Sequence, residues 1–320
     1  MKFTQFNIAM IAAVALASCG RTDADLIDHI PDSTAVVYMP QATRLPAEYV
    51  FQRNAGNAEI VYGASYGGPH KPKSDINVQF TVDPGKIPGF NDEFFTRYPI
   101  MPAGSFELER KEAAIPTGQV STSPMNITLY LDKLEGVGGY LLPVTISTGA
   151  KMNESLRTTY FLVKALYDEN PFPMFDRTNW EVTGISSEET TGEGANNGRA
   201  VFALDGNPAT FWTTQWKAAK PGPPHHILID MKETKKLHGF TFTARVTNGT
   251  MKATGNPKGI MVEAGTDGLQ WPYREEFTLG NTELNTIYLA YPPQARYFKI
   301  TINTSQGDIY LTHFAELNAF

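Results

Sequence analysis

One cysteine in 320 residues excludes an intramolecular disulfide and any cysteine-based zinc site, because each needs at least two thiols from the chain. Basic residues are also few: 27 Lys+Arg face 33 Asp+Glu, the net charge is −6, and no extended Lys/Arg run occurs. Nucleic acid demands a concentrated cationic footprint, so no nucleic-acid partner is expected. No long 3.6-period stretch is present, which removes helical bundles. No repeat of roughly 20–50 residues appears, which removes solenoids and propellers. Walker and Rossmann glycine fingerprints are missing, and no organic cofactor is expected. What remains is 42% hydrophobic, 12% aromatic and 19% charged residues, enough apolar material to bury a core in about two domains of ~150 residues.

The first residues read as an address. Lys2 precedes the apolar run from Ile8 to Ala17, too short for the ~20 residues of a bilayer-spanning helix, so it reads as a secretory signal. Leu16-Ala17-Ser18-Cys19-Gly20 resembles the bacterial lipobox, where small residues fit the signal peptidase and the thiol receives a diacylglyceryl group. Cys19 is therefore the expected lipidation site. Cleavage before it leaves 302 residues and, with Lys2 gone, a net charge of −7. Asp23 and Asp25 shortly after Cys19 resemble the export signals of Bacteroidetes surface lipoproteins. That likeness implies an outer-membrane, cell-surface location, where several acyl chains anchor stably and one alone does not.

Period-two alternation recurs through residues 35–165, as in Ile76-Asn77-Val78-Gln79-Phe80-Thr81-Val82, Ile127-Thr128-Leu129-Tyr130-Leu131 and Tyr160-Phe161-Leu162-Val163. Asp83-Pro84-Gly85, Ile87-Pro88-Gly89, Pro102-Ala103-Gly104 and Gly136-Val137-Gly138-Gly139 punctuate it as turns. Strand patterns resume at Ile227-Leu228-Ile229, Phe240-Thr241-Phe242, Ile260-Met261-Val262 and Phe298-Lys299-Ile300-Thr301-Ile302. The expected class is all-β with two β-sandwich domains. The expected layout is a signal peptide at 1–18, a tether at 19–34, a first sandwich at 35–166, a Pro-rich linker at 167–175 and a second sandwich at 176–320.

Two resemblances refine this layout. Val37-Tyr38-Met39-Pro40-Gln41-Ala42, Asn77-Val78-Gln79-Phe80-Thr81-Val82-Asp83 and Tyr140-Leu141-Leu142-Pro143-Val144-Thr145-Ile146 resemble the Bacteroidetes domain of unknown function numbered 1735, an N-terminal module of secreted glycan-utilisation lipoproteins. The second resemblance rests on the run from Ala203 to Trp216, on Asp267-Gly268-Leu269-Gln270-Trp271, on Ala295-Arg296-Tyr297-Phe298-Lys299-Ile300 and on Ala315-Glu316-Leu317. In order and spacing these resemble the discoidin, or coagulation factor type C, family, which includes family 32 carbohydrate-binding modules. It implies a jelly-roll-like, galactose-binding-like sandwich whose site is made by loops at one end.

The turn Asp205-Gly206-Asn207-Pro208-Ala209-Thr210 gathers a carboxylate, carbonyls and a hydroxyl, an oxygen-only set suited to Ca²⁺, although Asp-Gly-Asn is also an ordinary turn. The resemblance implies a structural Ca²⁺ there, with Asp205, Thr210 and Glu316 as side-chain ligands and Phe202, Asn207 and Ala315 through their carbonyls. It also implies Arg245 as a ligand-contacting arginine, with Thr213, Gln215, Trp216 and Asn248 on neighbouring loops. Tyr310 is a further stacking candidate. These residue types suit sugars: aromatic rings pack on the apolar face of a pyranose, and planar polar groups reach vicinal hydroxyls. Galactose-binding members commonly carry histidine where this chain has Thr213, so a galactose preference does not transfer.

Trp212 and Trp271 read as core, and His225-His226, adjacent on a strand, point to opposite faces and do not form a metal pair. Gly63-Ala64-Ser65-Tyr66-Gly67 matches a hydrolase nucleophile elbow, but Gly68-Pro69-His70-Lys71-Pro72 follows it and cannot start the helix that an elbow requires. No catalytic residue is expected. The expected protein is a non-catalytic, lipid-anchored, cell-surface glycan-binding protein working beside a SusC/SusD-like transporter. An adhesin for a protein or host glycoconjugate is the alternative, and a carbohydrate-active hydrolase is third.

Overall fold

The computed structural model describes residues 30–320. Cys19 and the signal before it lie outside the described residues. Within them the chain is all-β apart from short 3-10 turns and one eight-residue helix, Ile87–Phe94.

The first half pairs a five-stranded sheet with a three-stranded one. The larger runs in the order Ala47–Gln52, Thr158–Leu166, Tyr140–Thr148, Ile76–Val82 and Glu112–Ile115, and the smaller in the order Asn57–Tyr62, Met125–Tyr130 and Phe106–Leu108. Alternation decides which side chains meet: Val78 and Phe80 of one sheet and Ile127 and Leu129 of the other are all buried in one cluster. The helix departs from the sequence expectation of a turn at Ile87-Pro88-Gly89. Pro88 falls in the first helical turn, where its missing N–H costs nothing, and Ile87 and Phe90 share a face that buries Leu141 and Leu162 on the outside of the large sheet. Eight residues are too few to show a helical period in the sequence. This cover explains why Tyr140–Thr148 is buried on both faces over most of its length.

The second half repeats the plan with different connections. A five-stranded sheet in the order Glu181–Ile185, His225–Lys236, Gln294–Ser305, Pro257–Gly265 and Tyr273–Thr278 packs against Leu284–Tyr288, Gly239–Thr243 and Glu316–Ala319. Between them lies an aromatic core in which Phe240 meets Phe298 at 4.9 Å and Trp212 meets Phe314 at 5.2 Å, both edge to face. Burying each such ring stabilises the fold by about 2–3 kcal/mol. Trp212 is fully buried, as expected. Trp271 is not a core residue: it is half-buried in a turn, with the Lys299 ammonium 5.8 Å from its ring. Two short strands, Trp212–Thr213 and His313–Phe314, pair antiparallel at one end of this sandwich. The hairpin Val246–Thr247 with Thr250–Met251 is a second two-stranded pair.

The two halves are joined by direct contacts. Val137 and Gly138 donate backbone hydrogen bonds to the carbonyls of Leu289 and Ala290, and Tyr291 Oη donates to the Gly139 carbonyl at 2.6 Å. Gly136 has a positive φ of +65°, and a Cβ there would lie 2.2 Å from the Ala290 oxygen, so this contact admits only glycine. Arg53 spreads its guanidinium over the carbonyls of Leu131, Leu134, Gly136 and Ala165 and stacks on Tyr167, 4.3 Å from the ring centre. Phe172 stacks on His238 at 3.8 Å, fixing the connecting segment to the second half.

Candidate functional site

At the end of the second sandwich that carries Trp212–Thr213 and His313–Phe314, a cleft of about 260 Å³ is lined by Glu193, Thr213, Trp216, Arg245, Lys252, Thr254, Ile309, Leu311 and His313. Arg245 follows the strand Gly239–Thr243 and precedes the hairpin whose tip is Asn248; the Lys252 N–H closes that hairpin onto the Arg245 carbonyl at 2.9 Å. The guanidinium lies flat on Phe211, 3.6 Å from the ring centre, and pairs with both oxygens of Glu193 at 3.2 and 3.0 Å. Trp216 Nε1 donates to the same Glu193 carboxylate at 3.0 Å. Three donors thus fix one acceptor, and cation and anion cancel within the cleft.

A second carboxylate holds the loops that carry these groups. Glu189 is buried; its Oε1 accepts from Thr191 N, Thr191 Oγ1 and Gly192 N, each at 2.9 Å, and its Oε2 from Trp216 N at 3.0 Å and Lys217 N at 2.9 Å. Burial pushes this carboxyl up, but the amides of Trp216, Lys217 and Thr191 outweigh it and bring the pKa down to about 2. The segment bearing Glu193 is thereby tied to the segment bearing Trp216.

His313 forms part of the cleft wall, directly across the strand pair from Thr213. It is 4% exposed, its ring lies against Gly255, and its hydrogen-bonding contact is with the Thr254 backbone. Burial, reinforced by Arg245 and Lys252, lowers its pKa to about 3, so the imidazole is neutral.

Of the sequence-expected glycan residues, Thr213, Trp216 and Arg245 come together in this cleft. Gln215, Asn248 and Tyr310 do not line it. Asn248 is exposed at its hairpin tip with φ +53°, Gln215 turns its N–H to Ser187 Oγ, and the Tyr310 carbonyl pairs with His225 Nε2 at 2.6 Å, leaving its neighbours Ile309 and Leu311 to face the cleft. Sequence reasoning missed Glu193, Lys252 and His313, because nothing in a linear pattern marks which of many carboxylates, lysines or histidines folds beside Arg245.

The expected cation ligands gather elsewhere. Thr210 Oγ1 lies 2.7 Å from Asp205 Oδ2 and 2.8 Å from the Asn207 carbonyl. Glu316 Oε2 takes the Arg177 guanidinium at 2.5 Å, while Glu316 Oε1 is buried with no partner. Burial raises the Glu316 pKa, Arg177 opposes this, and the Asp205 carboxylate beside it adds to the rise. Phe202 lies in the 3-10 turn Ala200–Ala203, and Ala315 immediately precedes the last strand. Two neighbouring carboxylates with an orphaned oxygen, a hydroxyl and nearby carbonyls fit a hard cation, with Arg177 already balancing one of the charges. Among the described residues no group of three or more His, Cys, Asp or Glu forms a metal cluster.

The family model of the F5/8 type C domain matches residues 182–317, and a model for an N-terminal domain matches residues 31–152. A sialidase of Micromonospora viridifaciens is 40% identical over 73 residues, 22% of this chain and 11% of the sialidase. A galactose oxidase of Gibberella zeae is 31% identical over 150 residues, 45% of this chain and 20% of the oxidase. The chain therefore spans a fifth or less of the curated relatives it matches. Among solved structures, the C-terminal domain of a chitobiase from Bacteroides fragilis is 30% identical with a TM-score of 0.42, covering 46% of this chain and 97% of that one. A family 32 carbohydrate-binding module from Clostridium perfringens, solved with galactose, is 21% identical with a TM-score of 0.37, covering 46% and 96%.

Proposed function

Since residues 182–317 belong to the F5/8 type C (discoidin) family, we propose that this protein captures glycan in the cleft between Trp216 and Arg245 and holds it without turning it over. The observation that carries the reading is the convergence of Thr213, Trp216 and Arg245, from separate segments, on one cleft at the loop end of the sandwich. The indole offers a flat apolar surface, and the Arg245–Glu193 pair offers donors and acceptors side by side for vicinal hydroxyls. The sialidase and the galactose oxidase are matched over too little of their length for either activity to be carried over.

The proposal extends to a structural Ca²⁺ held by Asp205, Thr210 and Glu316 and by the carbonyls of Phe202, Asn207 and Ala315. Such an ion would staple the Asp205 turn to the last strand and take no part in sugar contact. It extends also to a lipid anchor at Cys19, a place on the outer face of the outer membrane and work beside a SusC/SusD-like transporter. Those parts rest on the sequence alone.

A glycan array and polysaccharide-gel electrophoresis, run on the wild-type chain and the Arg245→Ala, Trp216→Ala double variant, test the reading. Binding by the wild type that the double variant loses is expected. Binding that survives in the double variant would move the site, and no binding to any glycan would replace capture of sugar by adhesion to protein.

A further inference from the structure

Phe95 is 96% exposed, the most exposed large apolar side chain among the described residues, and its backbone is left-handed, with φ +52° and ψ +39°. A lone surface hydrophobe needs no explanation, but a bulky residue in the left-handed region is an outlier, because its Cβ crowds the following carbonyl. The position directly follows the helix Ile87–Phe94, where glycine is the usual residue. The fold nevertheless holds this turn firmly. Phe95 N–H and Thr96 N–H both donate to the Asn91 carbonyl, while the Asn91 side chain accepts from Thr96 Oγ1 at 2.8 Å and Tyr98 N at 3.1 Å and donates to the Tyr98 carbonyl at 2.9 Å. Its neighbour Phe94 is 37% exposed and packs on Phe90 with ring centres 4.7 Å apart. An aromatic knob is thus presented on a rigid mount.

The same sandwich carries a hole. A crevice of about 570 Å³ between its two sheets is lined by Phe80, Val82, Phe106 and Leu108, together with Glu107 and Lys111. Phe106–Leu108 is the edge strand of the small sheet, and Glu112–Ile115 of the large sheet pairs only with Ile76 to Gln79, stopping short of Val82. The sandwich is therefore unclosed at this edge, and inward-facing apolar side chains border open space. Knob and crevice carry complementary charges. Asp92 and Glu93 before Phe95, and Arg97 after it, are exposed, as are Lys111 and Glu107 at the crevice. Asp92, Glu93, Arg97 and Lys111 form no salt bridge among the described residues. The two acids match Lys111, and Arg97 matches Glu107.

We propose that Phe95 of one molecule seats in the Phe80–Phe106 crevice of a second copy of this chain, with Asp92 and Glu93 meeting Lys111. Knob and crevice share no residue, so every copy carries both halves of the contact, and neither half lies in the cleft of the second sandwich. The proposal stands apart from the glycan-capture reading. Sedimentation velocity of the intact chain over a series of micromolar concentrations, with thermal unfolding at the lowest of them, tests it. Wild type is expected to self-associate as its concentration rises. Phe95→Gly should lower the association constant at least tenfold, while its melting temperature equals or exceeds that of wild type, because glycine adopts the left-handed turn without strain. Lys111→Glu, at an exposed position, should weaken association several-fold. An equimolar mixture of the two variants should associate more tightly than either alone, since one keeps the knob and the other keeps an unaltered crevice.

Wild type that stays monomeric throughout the series, or Phe95→Gly that associates as wild type does, overturns the proposal. A mixture no tighter than its components overturns the pairing of knob with crevice. A melting temperature of Phe95→Gly below that of wild type overturns it as well, since the ring would then be kept for the stability of its own chain.

Discussion

Replacing Glu189 by Gln tests whether a single buried carboxylate organises the cleft. Its pKa is brought from the ordinary 4.5 to about 2 by the amides of Trp216, Lys217 and Thr191 and the Thr191 hydroxyl, against an opposing push from burial. A lowering of that size corresponds to about 3 kcal/mol of preference for the charged, folded form. The direction follows from linkage. The folded pKa lies below the unfolded one, so the contribution is complete above pH 4.5 and is lost as the pH falls through 2. Urea unfolding of wild type and Glu189→Gln at pH 7, 5, 4, 3 and 2.5 measures it. The variant should be about 2–3 kcal/mol less stable at pH 7 and 5, and the gap should narrow below pH 4. It should not close fully, because the Gln amide turns one N–H group toward the donors that the carboxylate accepted. A gap that stays constant from pH 7 to 2.5 would refute the reasoning, since the deficit would then come from packing and not from the charge.

The cation site predicts that EDTA lowers the melting temperature of the wild type and that native mass spectrometry finds one bound Ca²⁺; if neither occurs, the site is wrong. Glu316→Gln should abolish the EDTA effect. At the joint between the halves, Gly136→Ala places a Cβ against the Ala290 carbonyl at a φ that alanine adopts with strain, and should cost about 2–4 kcal/mol. Gly149→Ala, where nothing lies within 4 Å of the added atom, is the control, and calorimetry showing the same melting temperature for both variants would contradict the contact.

The sequence was most informative where burial has a period. Val78 and Phe80 or Phe298, Ile300 and Ile302 announce strands because every second side chain must leave water. The helix Ile87–Phe94 escaped, being two turns long and disguised by a proline and a glycine. At the candidate site, Arg245 and Trp216 were named through resemblance to a family, and the fold brings both into one cleft. Glu193 and His313 were not, because their roles come from strand register and loop closure. His313 stands 100 residues from its partner Thr213, and only the pairing of two two-residue strands puts them side by side. The Asp205 turn showed its oxygen donors in order, whereas Arg177, which occupies one oxygen of Glu316, carries no local signal at all.

The bonds from Val137 and Gly138 to Leu289 and Ala290, with Arg53 buttressing the connecting strand, make the two sandwiches behave as one lever and not as beads on a string. A pull applied at the cleft is passed into the first sandwich by shear across this seam. The first half then sets the direction in which the cleft faces as well as its distance from wherever the chain is held. Whatever enters the cleft is met at an angle fixed relative to the first sandwich.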